Sequence, residues 1–537
     1  MGKVSLQLIQ VICAITWCLF AAGPIFGFAA LKPILIQEGV YSGLCTPVDG
    51  TALLANASNL VPLKEGSLKP CTAQDLKLNF MFTLGAGTTN VVALLVGYVL
   101  DVYGPSVCVF AGSGFLTMGA LSLALSSKIS FFDPYITGYV LLAVGGPFVF
   151  ISTFQLANGF PNKSGTILAL LTGAFDSSSA LFFIYRLIYQ NWMPSLTLKK
   201  FFTGYLIVPL FIFVCQLFIM PKESYKSLGA VQKLEIEGLD MNGNLPEGED
   251  GSRIIPDETE RQSLLSSHSN VHPVLSNDSR RKSVWENYVE AKLEKKTKGI
   301  FGVMHGYSAS EQIKSPWFVL MLAFVIICML RINYFVATVR SQEEFLLGSH
   351  KLALKVNSIF DVALPVGGLV SIPFIGLVLD HCSTLTAIIL VSSISLVIGI
   401  LGLIPSFSLN LLGIFMLVAY RPFYYTVVSD YCAKVFGFDT FGTVYGLLMC
   451  LSGIFNLGQS VLDRSTHTTF NMNPTPINSI LVAVTAVTST TLIVYVYKES
   501  KAREERMQVF EQMETTTKTT PEAPAEESAQ YGTLNAS

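Results

Sequence analysis

The chain has 537 residues, a mean hydropathy of +0.53 and a net charge of -2, with 51% hydrophobic and 13% charged residues. A soluble domain carries about 25% charged residues, so an ordinary soluble fold is excluded, while the near-neutral charge says nothing about partners. Many apolar blocks reach the ~20 residues that a helix needs to cross hydrocarbon; a membrane barrel would show short alternating segments instead.

In chain order the pattern predicts twelve membrane helices: 7–31, 77–100, 106–126, 135–157, 164–187, 200–220, 316–338, 355–379, 384–404, 409–429, 440–462 and 477–497. The first block is too long for a signal-peptide core and is read as a retained helix. The stretch "AAGPIFGF" interrupts it, with Gly23-Pro24 near mid-membrane. Its backbone is open to two readings, a kink or a receiver of substrate. The polar loop that follows holds Cys45, Cys71 and the sequon at Asn56. A disulfide between the two cysteines and a glycan on Asn56 are expected if this loop faces an oxidising compartment.

The resulting division is 1–220 as a six-helix half, 221–315 as a largely disordered cytosolic middle loop, 316–498 as a second six-helix half, and 499–537 as a disordered cytosolic tail that opens on a charged helix start before a Thr/Pro/Glu/Ala tract. The middle loop is rich in Glu, Asp, Ser and Asn and cannot bury enough apolar surface to fold alone. An even number of helices puts both termini and the middle loop on one side, read as the cytosol. The loop carries "ERQSLL", with Glu260, Leu264 and Leu265, and the tail carries "YGTL", with Tyr531 and Leu534. Both have the form of extended signals for clathrin-adaptor-type sorting proteins. A vacuolar or lysosomal membrane is therefore expected, with the plasma membrane as the alternative.

Two stretches recur. "GYVLDVYG", with Gly97, Asp101 and Gly104, ends the second helix, and "GLVLD", ending at Asp380, ends the eighth, 279 positions later. "GTILALL" from Gly165 and "GTVYGLL" from Gly442 open the fifth and eleventh helices, 277 positions apart. Two matches at nearly one offset, each on corresponding helices, argue for a duplicated six-helix unit. The fold class is therefore all-α: a twelve-helix membrane protein of two pseudo-symmetric halves.

"GYVLDVYG" resembles the signature G-x-L-a-D-r-x-G-r of the major facilitator superfamily. Gly97, Asp101 and Gly104 match, whereas Val102 and Pro105 stand at the two basic positions. The resemblance implies that Asp101, and Asp380 in the second copy, latch helix ends together on the cytosolic side. A plain helix-end carboxylate is the other reading of each. "CTAQDLKLNFMFTLGAG", "ALLTGAFDSSSALFFIYRLIY" and "MLRINYFVATV" look like solute carrier family 43, the large-neutral-amino-acid branch with fungal-type members. That likeness implies facilitative transport through a central site, with neutral amino acids for some members and nucleobases for another.

Polar residues inside apolar helices are the site candidates, because hydrocarbon makes them costly. Arg331 binds a substrate carboxylate, pairs internally with a carboxylate such as Asp361, or lies at an interface. Arg421, next to Pro422, lines the cavity with Tyr424 or pairs across the bundle. Asp176 pairs with an arginine, binds an amine or carries a proton, while Ser177 to Ser179 read as packing residues. Gln155 lines the cavity or lies near the cytosolic end. No nucleophilic triad, phosphate loop or metal cluster stands out, so no enzyme activity, cofactor, metal or nucleic-acid partner is expected. The expected partners are the lipid bilayer and a small-molecule substrate. A nutrient sensor signalling through the middle loop is the reading from another class.

Overall fold

The computed structural model describes residues 3–45, 71–160, 163–222, 300 and 302–519. Asn56, Glu260, Leu264, Leu265, Tyr531 and Leu534 lie outside the described residues. Among the described residues, nine helices are long and apolar enough to cross a membrane, and two bent pairs raise the number to eleven. One of the nine, Leu76–Ala124, has 49 residues. At 1.5 Å per residue it would be ~74 Å long, more than twice the hydrocarbon thickness. It is broken at Gly104, whose φ of 81° and ψ of 174° are not helical. A residue with a Cβ is strained at that φ, and Pro105 then starts the next helix. Counted on both sides of this break, the described residues contain twelve spans.

They are span 1 (Lys3–Trp17 and Phe28–Gln37 around a break), spans 2 and 3 (Thr72–Ala124, divided at Gly104), and span 4 (Pro134–Ile151, prolonged by the 3-10 turn Phe154–Gly159). Span 5 is Ser164–Ser177 with Ala180–Asn191, and span 6 is Leu198–Tyr205 with Ile207–Phe218. Span 7 is Pro316–Leu347, span 8 His350–His381, span 9 Thr384–Leu401 and span 10 Phe407–Phe436. Span 11 is Phe441–Asn456 with Gln459–Thr468, and span 12 is Thr475–Thr519. Both ends of the described chain lie on one side of this bundle, the terminus side. The other, the loop side, holds the disulfide Cys45–Cys71, with Cα atoms 5.9 Å apart.

Two boundaries differ from the sequence reading. The last helix runs to Thr519, so the charged helix start expected at about 499 is continuous with span 12 and reaches further into the tail than the 499 boundary implied. Residues 499–519 are rich in Glu, Lys, Arg, Gln and Met, which are good helix formers, and Lys501 and Glu505 make an i,i+4 pair at 4.0 Å. The end of the middle loop is also ordered. Gly302 N–H donates to Lys434 O, Met304 N–H to Val435 O, and Gln312 Nε2 to Phe436 O, which docks a short helix, Ala309–Lys314, on the turn between spans 10 and 11.

Span 1 bends by 48° at Gly23-Pro24. The carbonyls freed there are taken by the protein. Tyr205 Oη donates to Phe20 O at 3.0 Å, and Tyr139 Oη to Ile25 O at 2.5 Å. Unmatched backbone groups are costly in a membrane, so spans 4 and 6 supply the missing donors.

Candidate functional site

The two halves meet along spans 2 and 11 and along spans 5 and 8. Both seams are built on glycine. A Cβ on Gly97 would stand 1.8 Å from Gly442 O, and one on Gly165 would stand 2.4 Å from Leu379 Cβ. Small residues of this kind let backbones approach directly. At the terminus-side end of each seam a carboxylate caps a helix of the other half. Asp101, at the end of span 2, accepts from Gly442 N at 2.9 Å and Thr443 N at 2.6 Å, both in the first turn of span 11. Asp380, at the end of span 8, accepts from Thr166 N at 3.1 Å and from the Thr166 hydroxyl, in the first turn of span 5. First-turn N–H groups have no partner inside their own helix, and the helix dipole favours an anion there. The two repeated motifs are thus crosswise partners: each "VLD" holds the "GT" of the other half.

Beside these caps an aromatic cluster closes the terminus side. The Phe154 ring centroid lies 5.7 Å from Phe441 and 5.6 Å from Tyr445, and Phe441 stacks on Tyr445 at 5.3 Å. All three are buried. Gln155 is buried in the same turn as Phe154, near this closed end.

Deeper in the bundle, Arg421 of span 10 faces Asp176 of span 5, Nε to Oδ1 at 3.7 Å, with side chains only 10% and 3% exposed. Asp176 lies 12 residues into its helix and Arg421 15 residues from the end of its own, so both sit ~18–22 Å from the terminus side, close to mid-membrane. Neither Asp176 oxygen nor Arg421 Nε has a hydrogen-bond partner. The pair joins the two halves electrostatically and leaves the Asp176 oxygens and Arg421 Nε without a hydrogen bond, while Tyr425 stands against the rest of the guanidinium. Gly368 of span 8 makes room beside it, where a Cβ would meet Ser177 Oγ at 2.8 Å. Ser177 thus lies at a close helix contact, as does Ser179, whose carbonyl lies 2.3 Å from where a Cβ of Gly27 would stand.

The other candidates lie elsewhere. Tyr424 is fully buried and donates to Val325 O at 2.9 Å, which ties span 10 to span 7 and does not place it at the Asp176–Arg421 pair. Arg331 donates from Nη1 to Ser395 Oγ at 3.0 Å and to Thr485 Oγ1 at 3.1 Å, and from Nη2 to Ser395 O at 3.0 Å. It lies among spans 7, 9 and 12 of the second half. The Asp361 side chain is outside the described residues, and none of the ion pairs among them involves Arg331. Sequence reasoning missed Glu343, a buried acid that takes Asn410 Nδ2–H at 2.9 Å, because span 7 was expected to stop at 338. It also missed the Phe154–Phe441–Tyr445 closure, since single aromatics in apolar blocks carry no local signal.

Two six-span halves, locked at one end and joined by an opposed charge pair at mid-depth, make up the class of membrane carrier known as the major facilitator fold. The solved proton:xylose symporter XylE has this fold, matching at a TM-score of 0.55 with 13% identity over 93% of this chain and 96% of its own. No family model matches the chain. The curated protein FMP42 of Saccharomyces cerevisiae is 61% identical over 92% of this chain and 95% of its own length. Equilibrative nucleobase transporter 1 of Bos taurus is 24% identical over 88% of this chain and 92% of its own. Large neutral amino acids transporter small subunit 3 of Homo sapiens is 26% identical over 42% of this chain and 39% of its own. The chain belongs to one family with FMP42, has the fold of the major facilitator transporters, and resembles the large-neutral-amino-acid branch of solute carrier family 43. It is a multi-pass membrane protein.

Proposed function

We propose that the chain carries neutral amino acids across the membrane by facilitative alternating access, and that Asp176 and Arg421 hold the substrate. The carrying observation is the pair itself: opposite charges 3.7 Å apart, between the halves, at mid-depth, with carboxylate oxygens and guanidinium Nε unfilled. A zwitterion brings a carboxylate for the planar guanidinium fork and an ammonium for Asp176. Its insertion between the two replaces one inter-half contact with two substrate contacts, which biases the equilibrium between the two facing states. The name of the human relative supports the amino-acid class, and that of the bovine relative supports a nucleobase.

Counterflow in proteoliposomes with radiolabelled leucine and adenine separates these. The expected result is saturable leucine exchange, insensitive to proton and sodium gradients, that falls at least tenfold in Asp176→Asn and in Arg421→Gln. Saturable adenine exchange with no leucine exchange would replace this reading with the nucleobase one.

The topology that goes with it puts the terminus side in the cytosol, so that the described state is closed inward. The proposed location is the vacuolar or lysosomal membrane, supported by the Leu264-Leu265 and Tyr531 patterns and their adaptor-type partners. Leu264→Ala with Leu265→Ala should divert the tagged protein to the cell surface. An unchanged distribution, also after truncation before Tyr531, refutes the location.

A further inference from the structure

A second site lies within the second half alone, away from the Asp176–Arg421 pair. A cavity of about 60 Å³ runs between spans 7, 9, 10 and 12. Its lining changes along its length. At the loop-side mouth stand Gln342, Glu343, Asn410 and Asn478, the shaft is apolar with Phe335, Ile398 and Leu417, and Arg331 and Tyr420 stand at its deep end.

The deep end is built for an anion. A guanidinium has five N–H donors. Three hydrogen bonds from Arg331 go to Ser395 and Thr485, all to neutral oxygens, so two donors, on Nε and Nη2, have no acceptor among the described residues. A cation this deep is costly without a counter-charge. Tyr420, 3% exposed, lines the same end and its hydroxyl has no hydrogen-bond partner. Span 9 yields space for the guanidinium at Gly399, where a Cβ would stand 2.5 Å from Arg331 Nη2. A positive charge with spare donors, a spare hydroxyl and a cavity in front of them together define a carboxylate receiver.

Size and charge narrow the ligand. A water needs about 10–15 Å³ by this measure, so the cavity holds the equivalent of about four to six waters. That suits a small branched or short acid of about six non-hydrogen atoms. The acid in reach, Glu343, lies 12 residues further along span 7, ~18 Å along the axis. Among the described residues, an α-ammonium beside the guanidinium would therefore meet no carboxylate. We infer that this cavity binds a small apolar monocarboxylate that lacks an amino group, a ligand class distinct from the zwitterion proposed for the central pair.

The test is equilibrium binding of radiolabelled isobutyrate to the purified full-length chain in lipid nanodiscs. Isobutyramide, equal in size and uncharged, and valine serve as competitors. Saturable isobutyrate binding is expected, with isobutyramide and valine each competing at least tenfold more weakly than unlabelled isobutyrate. Tyr420→Phe should bind several-fold more weakly. Arg331→Gln should lose at least tenfold in affinity, with Arg331→Lys recovering part of it. The inference is overturned if isobutyramide or valine competes as well as isobutyrate, or if the parent shows no saturable binding. The acid–amide comparison uses the unaltered protein, so it decides the question even if an Arg331 variant misfolds.

Discussion

Replacing Asp101 and Asp380 by Asn should unlatch the terminus side, and the effect follows from the hydrogen bonds. Each carboxylate accepts two donors from the opposite half. Asn keeps one acceptor oxygen and points an NH2 group at the second donor. One hydrogen bond to a charged group, about 2 kcal/mol, is lost, with about 0.5 kcal/mol of helix-terminus attraction. The sum of ~2.5 kcal/mol is a factor of ~70 in the ratio of closed to open states. If that ratio begins near ~100 to 1, one substitution brings it close to even. The two latches lie on different helix pairs, so the double variant should lose ~5 kcal/mol and reverse the ratio. Pulsed electron-resonance distances report it directly, with one spin label on Tyr103→Cys and one on the native Cys382. Both positions are exposed on the terminus side, one in each half. A second, longer distance should grow in each single variant and dominate in the double. If the double variant keeps the parent distribution, the carboxylates do not hold the halves together and the reasoning fails.

Gly442→Ala attacks the same seam sterically, since its Cβ would stand 2.4 Å from Gly97 O and 2.6 Å from Asp101 Oδ1; the same longer distance should appear and transport should fall. Asp176→Asn alone leaves Arg421 buried without a counter-charge, at a cost of about 3–5 kcal/mol, whereas Asp176→Asn with Arg421→Gln should recover much of the thermal stability measured in detergent; equal melting of single and double variants would show that the pair is not coupled. Gly399→Ala should displace the Arg331 guanidinium and weaken isobutyrate binding at least tenfold while leaving leucine exchange in place. Reducing Cys45–Cys71, which closes a loop with a sequence separation of 26, should remove about 3.5 kcal/mol of chain-entropy stabilisation, read as a lower melting temperature of the parent with reductant and no further loss in Cys45→Ser.

Much of the architecture was legible in the residue order because its causes are local. Apolar runs of membrane length announce spans, and Gly104-Pro105 announces a reversal. Two "VLD" and two "GT" stretches at nearly one offset announce a duplication. The polar residues worth attention, Asp176, Arg331 and Arg421, stood out for the same reason: each is a charge inside a hydrocarbon-length run. What each charge meets was decided by tertiary structure alone. Arg421 and Arg331 look alike as sequence, yet one faces an acid across the halves and the other faces hydroxyls inside one half. Tyr424 looked like a cavity residue and is spent on the Val325 carbonyl, while Tyr139 and Tyr205 take the backbone opened at Gly23-Pro24. The crossing of the latches, Asp101 to span 11 and Asp380 to span 5, joins residues more than 200 positions apart. A helix sets the direction of its own side chains, but the neighbour that satisfies a buried polar atom is chosen by how whole helices pack.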